Sequence, residues 1–294
     1  MRKTALITGT SSGLGRTAAG YFAARGWNVV ATMRTPPGET ELAGPDNVLV
    51  TRLDVQDPPS IAEAIERGIE RFGRIDTLIN NAGFGLFGLF EATPAEKVRE
   101  QFEVNVFGAM EVTRAVLPHF RASQGGTIIN ISSGAGVFTL PMLSLYCASK
   151  FALEGFSEAL AYELASQQIV VKIVEPGGVI STNFGKRSAA EAAAVDVPAG
   201  YEDFIKSASA VFEELRAAAS ATEEDVAKVI FTAATDGSDQ LRYVATDDIR
   251  PLLKARRETS EQQYMALVRS QFSRTPPPEA DASLGGRASG THAY

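Results

Sequence analysis

The sequence predicts an α/β fold: one doubly wound sheet of about seven parallel strands, with helices on both faces. Two observations predict it. Short β-rich runs alternate with longer helical patterns, an order typical of parallel sheets covered by helices. The chain has 294 residues, 45% of them hydrophobic and 21% charged, which is enough to bury a full core. We expect residues 1–272 to form a single domain and residues 273–294, which lack apolar periodicity, to form a flexible tail.

The strands are expected in β-rich runs that are bounded by turn residues. These runs are Thr4 to Thr8, Asn28 to Met33, Val48 to Leu53, Ile75 to Ile79, Thr127 to Ile131, Val170 to Glu175 and Leu241 to Ala245. Seven such strands make one doubly wound sheet.

The segments between the strands carry helix signals. The first helix is predicted from about Leu14 to Arg25. Asp57-Pro58-Pro59 opens another, and Thr93-Pro94-Ala95-Glu96 places a cap, a proline and an acid in the first turn of a third. A further helix, apolar on one face, is predicted from Ser144, its candidate cap, to Ser166. An Ala-rich, helix-prone insertion from Phe184 to about Ala219 is the candidate for a lid.

Composition and charge exclude several classes of function. The formal net charge is -7, the isoelectric point is near 5.1 and no basic cluster is visible, so we expect no nucleic-acid partner. The single cysteine, Cys147, excludes an internal disulfide and a cysteine-based metal cage, and the two histidines, His119 and His292, argue against any metal site. No apolar run approaches the roughly 18 residues of a membrane-spanning helix. We expect a cytoplasmic protein that contacts no membrane.

A glycine-rich turn follows the first predicted strand and opens the first predicted helix. Its sequence is Thr8-Gly9-Thr10-Ser11-Ser12-Gly13-Leu14-Gly15. Glycines let a backbone turn sharply and approach a pyrophosphate, while the helix N-terminus supplies amide donors and a favourable dipole. Taken alone, the run also fits a tight connection that binds nothing. We predict that it binds a dinucleotide through Gly9, Ser11, Ser12, Gly13, Leu14 and Gly15.

A tyrosine and a lysine are spaced to act together. Tyr146 and Lys150 are four residues apart in a predicted helix and therefore share one face. Such a pair also arises by chance, as a half-buried tyrosine beside a surface lysine. Ser133, thirteen residues before the tyrosine, ends the preceding predicted strand, and Ser132 is the neighbouring alternative. Cys147, beside the tyrosine, is expected to be a small apolar filler.

These motifs, taken jointly, resemble the short-chain dehydrogenase/reductase family over about residues 3 to 250. The matching patterns are Thr-Gly-x-x-x-Gly-x-Gly and Tyr-x-x-x-Lys, with a serine thirteen residues before the tyrosine. The resemblance, to bacterial relatives of hydroxysteroid and retinol dehydrogenases, implies a Rossmann-like fold and oxidoreduction of alcohols and carbonyls with a nicotinamide cofactor. It also favours Ser133 over Ser132 as the residue that orients the carbonyl.

The resemblance assigns further residues to the cofactor. Asp54-Val55 resembles the pair that contacts adenine, and the turn of Asn80 with Asn81, Ala82 and Gly83 resembles one that stabilises the sheet beside the cofactor. The run from Pro176 to Thr182 resembles the loop that binds the carboxamide. Within that loop we expect contacts from Pro176, Gly177, Val179, Ser181 and Thr182. The family's hydroxyl falls five residues after the proline, at Ser181, whereas Thr182 better matches the local pattern, so the choice between them stays open.

Cofactor preference depends on the end of the second strand. An acid at this point would bind a free ribose 2′-hydroxyl, but the sequence has Met33-Arg34. A guanidinium at Arg34 would instead pair with a 2′-phosphate, so we predict NADP over NAD. The alternative is that Arg34 is an ordinary solvated charge.

The resemblance implies a mechanism. Ser133 hydrogen-bonds the substrate oxygen, Tyr146 donates or accepts the proton, and Lys150 holds the nicotinamide ribose. At about 5 Å and an effective dielectric near 20, the lysine charge is worth roughly 3 kcal/mol, enough to lower the pKa of the phenol by about two. Asn105, on the preceding helix, resembles the asparagine that holds a water in a proton relay to the lysine.

The substrate is expected to be a hydrophobic ketone, aldehyde or secondary alcohol, because the segments around the site are apolar. The apolar residues are Phe84, Leu86, Phe87, Phe90, Leu140, Met142, Leu143, Phe184, Tyr201, Phe204 and Phe212. The alternatives are a reductase or epimerase of the same fold with other chemistry, and a cofactor-sensing or scaffold protein, although such a protein would be expected to lose the tyrosine, lysine or serine. The family pairs through two long helices, here Ala95 to Leu117 and Ser144 to Ser166, so a homodimer or homotetramer is expected.

Overall fold

The computed structural model describes residues 2–36, 42, 44–179 and 197–272. Within these ranges seven strands form one sheet in the order β3-β2-β1-β4-β5-β6-β7, and every neighbouring pair is parallel. The predicted doubly wound parallel sheet is confirmed. The strands are β1 (Thr4–Ile7), β2 (Asn28–Met33), β3 (Val48–Arg52), β4 (Thr77–Asn80), β5 (Gly126–Ile131), β6 (Ile169–Glu175) and β7 (Arg242–Val244).

Helices cover both faces of the sheet. They are α1 (Gly13–Ala24), α2 (Pro58–Phe72), α3 (Ala95–Phe102), α4 (Ala109–Ala122), α5 (Ser144–Leu164), α6 (Glu202–Ala218), α7 (Glu223–Thr235), α8 (Arg250–Glu258) and α9 (Glu261–Phe272). A π-helical stretch (Glu103–Gly108) joins α3 to α4, and short 3₁₀ turns lie at Gly134–Gly136 and Ala165–Gln167. No helix among the described residues is both long and apolar enough to cross a membrane.

The core consists of two apolar layers, one on each face of the sheet. Successive strand residues point to opposite faces, so Ile79 of β4 packs with α1 and α7, whereas its neighbour Leu78 packs with α2, α4 and α5. Strands that are buried on both faces read as continuous apolar runs, which explains why the strands were predictable. The strand order reverses between β1 and β4, and open α/β sheets bind ligands at the carboxyl ends of the strands on either side of such a reversal.

Two predicted helix caps are wrong. The carbonyl of Leu143 accepts the first helical hydrogen bond of α5, from the amide of Cys147, so Ser144 lies inside the helix and does not cap it. At the start of α3 the capping position is Pro94, and the Thr93 hydroxyl instead donates to the carbonyl of Leu89. The helix predicted from Ala95 is present but contains the π-helical stretch, which the sequence did not reveal.

The predicted lid is described only in part. Residues 184–196, which include Phe184, and the predicted tail, 273–294, lie outside the described residues. The remainder of the predicted insertion contains α6. Its Phe212 contacts Phe87 edge-on, with ring centroids 4.9 Å apart, and contacts Phe272 of α9 with centroids 5.7 Å apart. An aromatic cluster therefore joins α6 to the segment that follows β4.

Candidate active site

The glycine-rich turn leaves no room for side chains at two positions. A Cβ atom at Gly15 would lie 2.3 Å from the carbonyl oxygen of Gly9 and 2.4 Å from the Asn81 amide nitrogen. Gly9 has a φ of +73°, and a Cβ atom there would meet the Ala82 backbone at 2.9 Å. Ser12 is the N-cap of α1, but its side chain makes no capping bond and the first turn of the helix holds no acid. The turn therefore fits a pyrophosphate, because its amides are close to the surface and are not capped by side chains.

Hydrogen bonds from the end of β4 hold the turn in place. The Thr8 hydroxyl accepts from the amides of Asn81 and Ala82 at 3.0 and 2.9 Å. In return, the Asn81 side chain donates to the carbonyls of Thr8 and Gly9 at 2.8 and 3.2 Å. The predicted residues of the glycine turn and of the Asn81 turn thus meet in one structure.

Arg34 lies close to the glycine turn. The Thr10 amide and hydroxyl both bond the carbonyl of Thr32, at 2.9 and 3.1 Å, so the end of β2 is fixed against the turn two residues before Arg34. Arg34 is exposed and has no ion pair within the described ranges. Its guanidinium is therefore available to a ligand at this edge.

Asp54 and Val55 follow β3 at the same edge. The Asp54 carboxylate accepts from the amide of Gln56 at 3.1 Å, and its own amide donates to the Ser60 hydroxyl at 3.0 Å. Val55 is buried in the apolar layer beneath. The pair therefore offers one half-buried carboxylate and one apolar side chain, a combination that suits an adenine ring.

Ser133, Tyr146 and Lys150 meet at the carboxyl end of β5. The Ser133 side chain hydrogen-bonds Tyr146 and accepts from the amide of Ala135 at 3.1 Å. The Lys150 ammonium lies 5.7 Å from the centre of the Tyr146 ring and donates to the carbonyl of Ile131 at 2.8 Å. Tyr146 and Lys150 are both buried, with 8% and 6% of their surface exposed. The alternative of a chance pair, with a surface lysine beside a half-buried tyrosine, is therefore excluded.

The predicted lowering of the pKa of Tyr146 is wrong for the chain as described. Burial raises the pKa of the phenol to about 12, although the hydrogen bond from Ser133 opposes the rise. Burial also lowers the pKa of Lys150 to about 8, an effect that the nearby Glu154 carboxylate partly offsets. The attraction of the lysine charge does not lower the pKa of the phenol because removing the phenolate from water costs more free energy.

Asn105 lies in the π-helical stretch and holds the segment that follows β4. Its side-chain nitrogen donates to the Phe84 carbonyl at 2.8 Å and to the Ser149 hydroxyl at 3.1 Å, and its oxygen accepts from the Phe84 amide at 3.0 Å. A Cβ atom at Gly83 would lie 3.1 Å from that oxygen and 3.8 Å from the Lys150 nitrogen. Asn105 therefore lies next to the lysine, in a π-type turn of the kind that is frequent at functional sites.

The sequence reasoning missed Asn130, which connects two strands beneath the site. Asn130 is in register with Asn80 and accepts from its side chain at 2.9 Å. It also donates to the Ser157 hydroxyl of α5 at 2.8 Å, while Asn80 donates to the Thr113 hydroxyl of α4 at 3.0 Å. The sequence signal that could have indicated Asn130 is an asparagine near the end of each of two apolar strands, Asn80 in β4 and Asn130 in β5.

The loop after β6 is fastened by two residues that the sequence did not indicate. The amide of Gly177 donates to the Thr246 hydroxyl at 2.9 Å, and the amide of Gly178 donates to the Asp248 carboxylate at 2.8 Å. The carbonyl of Pro176 accepts from the amide of Gly134, one residue after the predicted catalytic serine, at 2.9 Å. The loop therefore lies beside the catalytic group.

The far end of this loop is described only as far as Val179, which forms an isolated parallel bridge with Ala221. Ser181 and Thr182 lie outside the described residues. The choice between them as the carboxamide contact is therefore still open.

A glycine cradle after β1 and a Ser133–Tyr146–Lys150 group at the end of β5, with the tyrosine and the lysine buried, define a dinucleotide-dependent oxidoreductase. Comparison with known proteins agrees. A family model described as short chain dehydrogenase matches residues 3–192. The chain belongs to the short-chain dehydrogenase family and is an NAD(P)-dependent enzyme that acts on CH–OH groups, as the sequence motifs implied.

The relatives cover most of the chain. Human 17-beta-hydroxysteroid dehydrogenase type 1 is 33% identical over 298 aligned positions, covering 96% of this chain and 89% of that protein. A short-chain dehydrogenase structure from Streptomyces avermitilis has a TM-score of 0.75 and 31% identity, covering 93% of this chain and 95% of that one. The structure of ElxO with NADP bound has a TM-score of 0.69 and 27% identity, covering 83% of this chain and 97% of that one.

Proposed function

We propose that this chain interconverts a hydrophobic ketone or aldehyde and the corresponding alcohol with NADP(H), using Tyr146 as the general acid and base. The observation that carries the proposal is the contact of Ser133 with Tyr146 beside a buried Lys150. A cofactor-sensing protein would not need a phenol and an ammonium group buried together with a serine hydrogen-bonded to the phenol.

Each side chain has a distinct role in the proposed reaction. The nicotinamide, when bound, supplies or accepts the hydride. Ser133 donates a hydrogen bond to the substrate oxygen and fixes its position. Tyr146 retains its proton at neutral pH because burial raises its pKa to about 12, so in the reductive direction it delivers that proton to the substrate oxygen. In the oxidative direction the phenol must first release that proton towards Lys150, after which the same oxygen accepts the proton of the alcohol.

Lys150 is proposed to hold the nicotinamide ribose and to carry the proton that restores the phenol. With a pKa of about 8 it is mostly protonated near neutral pH but close enough to its titration to transfer a proton. Asn105 is proposed to hold a water that connects the lysine to solvent. Since its side chain already makes three hydrogen bonds, its remaining acceptor capacity and its backbone are the groups left for that water.

The preference for NADP is proposed from Arg34. This residue is exposed at the end of β2, in the place where an NAD enzyme is expected to have an acid, and it has no ion pair within the described part of the chain. The ElxO structure, in which NADP is bound, supports the same cofactor.

A hydrophobic substrate is proposed from the aromatic contacts between the lid helix and the loop after β4. Phe212 of α6 packs on Phe87, and the cluster extends to Phe272. Phe84 and Leu86, which the sequence placed in the same lining, instead pack with Leu145 in a small buried core. The proposed lining therefore contains fewer residues than the sequence suggested, but those that remain in the cluster are aromatic.

Pairing through the long helices is part of the proposal. Phe107 and Phe151 lie on the π-helical stretch and on α5, and they are 50% and 37% exposed in the single chain. Burial of such side chains is a favourable source of association energy. Light scattering on a size-exclusion column should give a homodimer or homotetramer, whereas a monomer at micromolar concentration would contradict the pairing.

The decisive experiment is a panel of ketones, aldehydes and secondary alcohols, followed by the absorbance of the reduced nicotinamide. Tyr146→Phe should abolish turnover and leave NADP binding nearly unchanged. Tyr162→Phe is the matched control, because Tyr162 lies on the same helix and is 74% exposed. Full activity of Tyr146→Phe would remove its proposed role. Tight cofactor binding by the unaltered chain, with no turnover of any compound, would favour the cofactor sensor.

A further inference from the structure

Glu223 places a negative charge beside the glycine turn. It is the first residue of α7, and one of its carboxylate oxygens accepts from the Thr17 hydroxyl of α1 at 2.8 Å. Its other oxygen lies 3.8 Å from the position that a Cβ atom would take at Gly13. Thr17 is one turn into α1 and Gly13 is its first residue. The carboxylate therefore lies alongside the N-terminal turn of the helix that is expected to face the pyrophosphate.

Two features hold the carboxylate in this place. α7 begins with a capping box, in which the Thr222 hydroxyl accepts from the Asp225 amide and the Asp225 carboxylate accepts from the Thr222 amide. α1 and α7 also pack side by side in the core through residues such as Phe22 and Ile230. The position of Glu223 is therefore set by the packing of two helices, whereas a surface side chain would be free to turn away.

In the part of the chain that the structure describes, no cation pairs with Glu223. Its neighbours Glu224 and Asp225 both pair with Lys228, at 3.5 and 3.3 Å, but Glu223 takes part in no ion pair among the residues that the structure describes. A carboxylate near a helix N-terminus interacts favourably with the helix dipole. A pyrophosphate bound at that same terminus carries two negative charges that use the same dipole, and it would lie near the carboxylate.

We infer that Glu223 is a positioning residue that sets the affinity of the cofactor site: it stabilises the free N-terminus of α1 and opposes the bound pyrophosphate. This inference rests on the proposed placement of the cofactor at the glycine turn. The consequence is a weaker complex that releases its cofactor faster than the cradle alone would allow. Release of product is often the slow step in such enzymes, so a residue that speeds release raises turnover.

The test is a charge series at one position. Dissociation constants for NADP⁺ are measured by titration calorimetry for the unaltered chain, Glu223→Gln and Glu223→Lys. The glutamine keeps an oxygen that can accept from Thr17. We expect Glu223→Gln to bind about threefold to tenfold more tightly and Glu223→Lys to bind more tightly still. The matched control is Glu224→Gln, which removes the same charge from an exposed side chain in the same turn of α7 and should change binding less than twofold.

Salt separates a charge effect from a packing effect. The advantage of Glu223→Gln should shrink between about 50 mM and about 500 mM salt, because screening weakens the repulsion that the variant removes. Without cofactor, the variant should melt about 1–3 °C lower than the unaltered chain, since α1 has lost a favourable charge at its N-terminus.

Two outcomes would overturn the inference. One is an unchanged dissociation constant across the charge series. The other is a tightening that is equally large at both salt concentrations, or equally large in Glu224→Gln. If the unaltered chain failed to bind NADP⁺ and NAD⁺ at all, the proposed cofactor site itself would be wrong, so the two failures are distinguishable.

Discussion

At the carboxyl end of β1 the groups that face the proposed pyrophosphate belong to the backbone, whereas at the carboxyl end of β5 the groups that face the proposed substrate are side chains. The first region depends on space: Gly9 and Gly15 are required because neighbouring atoms occupy the room that a Cβ atom would need. The second depends on protonation, because burial moves the pKa values of Tyr146 and Lys150 in opposite directions. Substitutions in the first region should therefore weaken cofactor binding through steric clashes. Substitutions in the second region should change the catalytic rate and its dependence on pH.

The largest effect is expected from Gly15→Ala. The added methyl group would lie 2.3 Å from the Gly9 carbonyl oxygen, so the turn must open and the amide cradle should be lost. Calorimetry should detect no NADP⁺ binding. The matched control is Gly20→Ala in the same helix, where a Cβ atom meets nothing within 4 Å. That variant should bind normally and be more stable by about 0.5–1 kcal/mol. Normal binding by Gly15→Ala would show that sterics do not define the cradle.

In the catalytic region, Ser133→Ala should lower kcat/KM by about a hundredfold, the usual cost of one well-placed donor to a reacting oxygen. Ser132→Ala should stay within about fivefold of the unaltered chain, because Ser132 does not face the phenol. Its hydroxyl instead lies next to Gly136, where a Cβ atom would be 2.7 Å from it and 2.9 Å from the Glu154 side chain. Steady-state kinetics of both variants would decide between the two serines, and the reverse result would transfer the role to Ser132.

Arg34→Ala tests the side chain on which the preference for NADP over NAD is proposed to depend. Loss of a guanidinium that pairs with a 2′-phosphate should lower kcat/KM for NADPH by about tenfold or more and leave kcat/KM for NADH nearly unchanged. Arg121→Ala, at the C-terminal end of α4, serves as the control for a lost surface charge. An unaltered chain that prefers NADH, or equal losses with both cofactors, would contradict the NADP assignment.

The smallest effect concerns pH. Burial favours the neutral form of Lys150, so its pKa of about 8 places the loss of its proton just above neutrality. In the reductive direction, kcat should therefore fall several-fold as pH rises from about 7 to about 9, as the lysine loses the proton that restores Tyr146. Lys150→Arg keeps its charge throughout this range and should remove that limb of the profile, at reduced overall rate. If the fall in kcat above neutral pH persisted in Lys150→Arg, it would report the titration of a group other than Lys150.

Much of the fold could be predicted from the sequence because its signals are local. Each strand is an apolar run, and the alternation of strands with helices predicts a parallel sheet covered on both faces. The motif spacing also predicted which side chains would meet, and Ser133, Tyr146 and Lys150 do meet. The pKa of Tyr146 could not be predicted, because it depends on burial by residues that are distant in sequence.

Local irregularities were also hidden from the sequence. Leu143 and not Ser144 is the N-cap of α5, and Met142, just before it, has a left-handed backbone conformation with a φ of +59° that no sequence pattern indicated. The roles of Thr246 and Asp248 depend on β7 lying next to β6, so they became visible only after the sheet was assembled.

The fastening of the Pro176 loop has a consequence for how this enzyme can be shortened. The stretch matched by the family model ends at residue 192, yet the amides of Gly177 and Gly178 are held by Thr246 and Asp248, more than fifty residues later. A protein trimmed to the recognisable family core would retain the glycine turn and the Ser–Tyr–Lys group but would lose the anchors of the loop beside them. The segment that follows the last strand therefore holds the loop beside the reaction centre, although it supplies none of the reacting side chains.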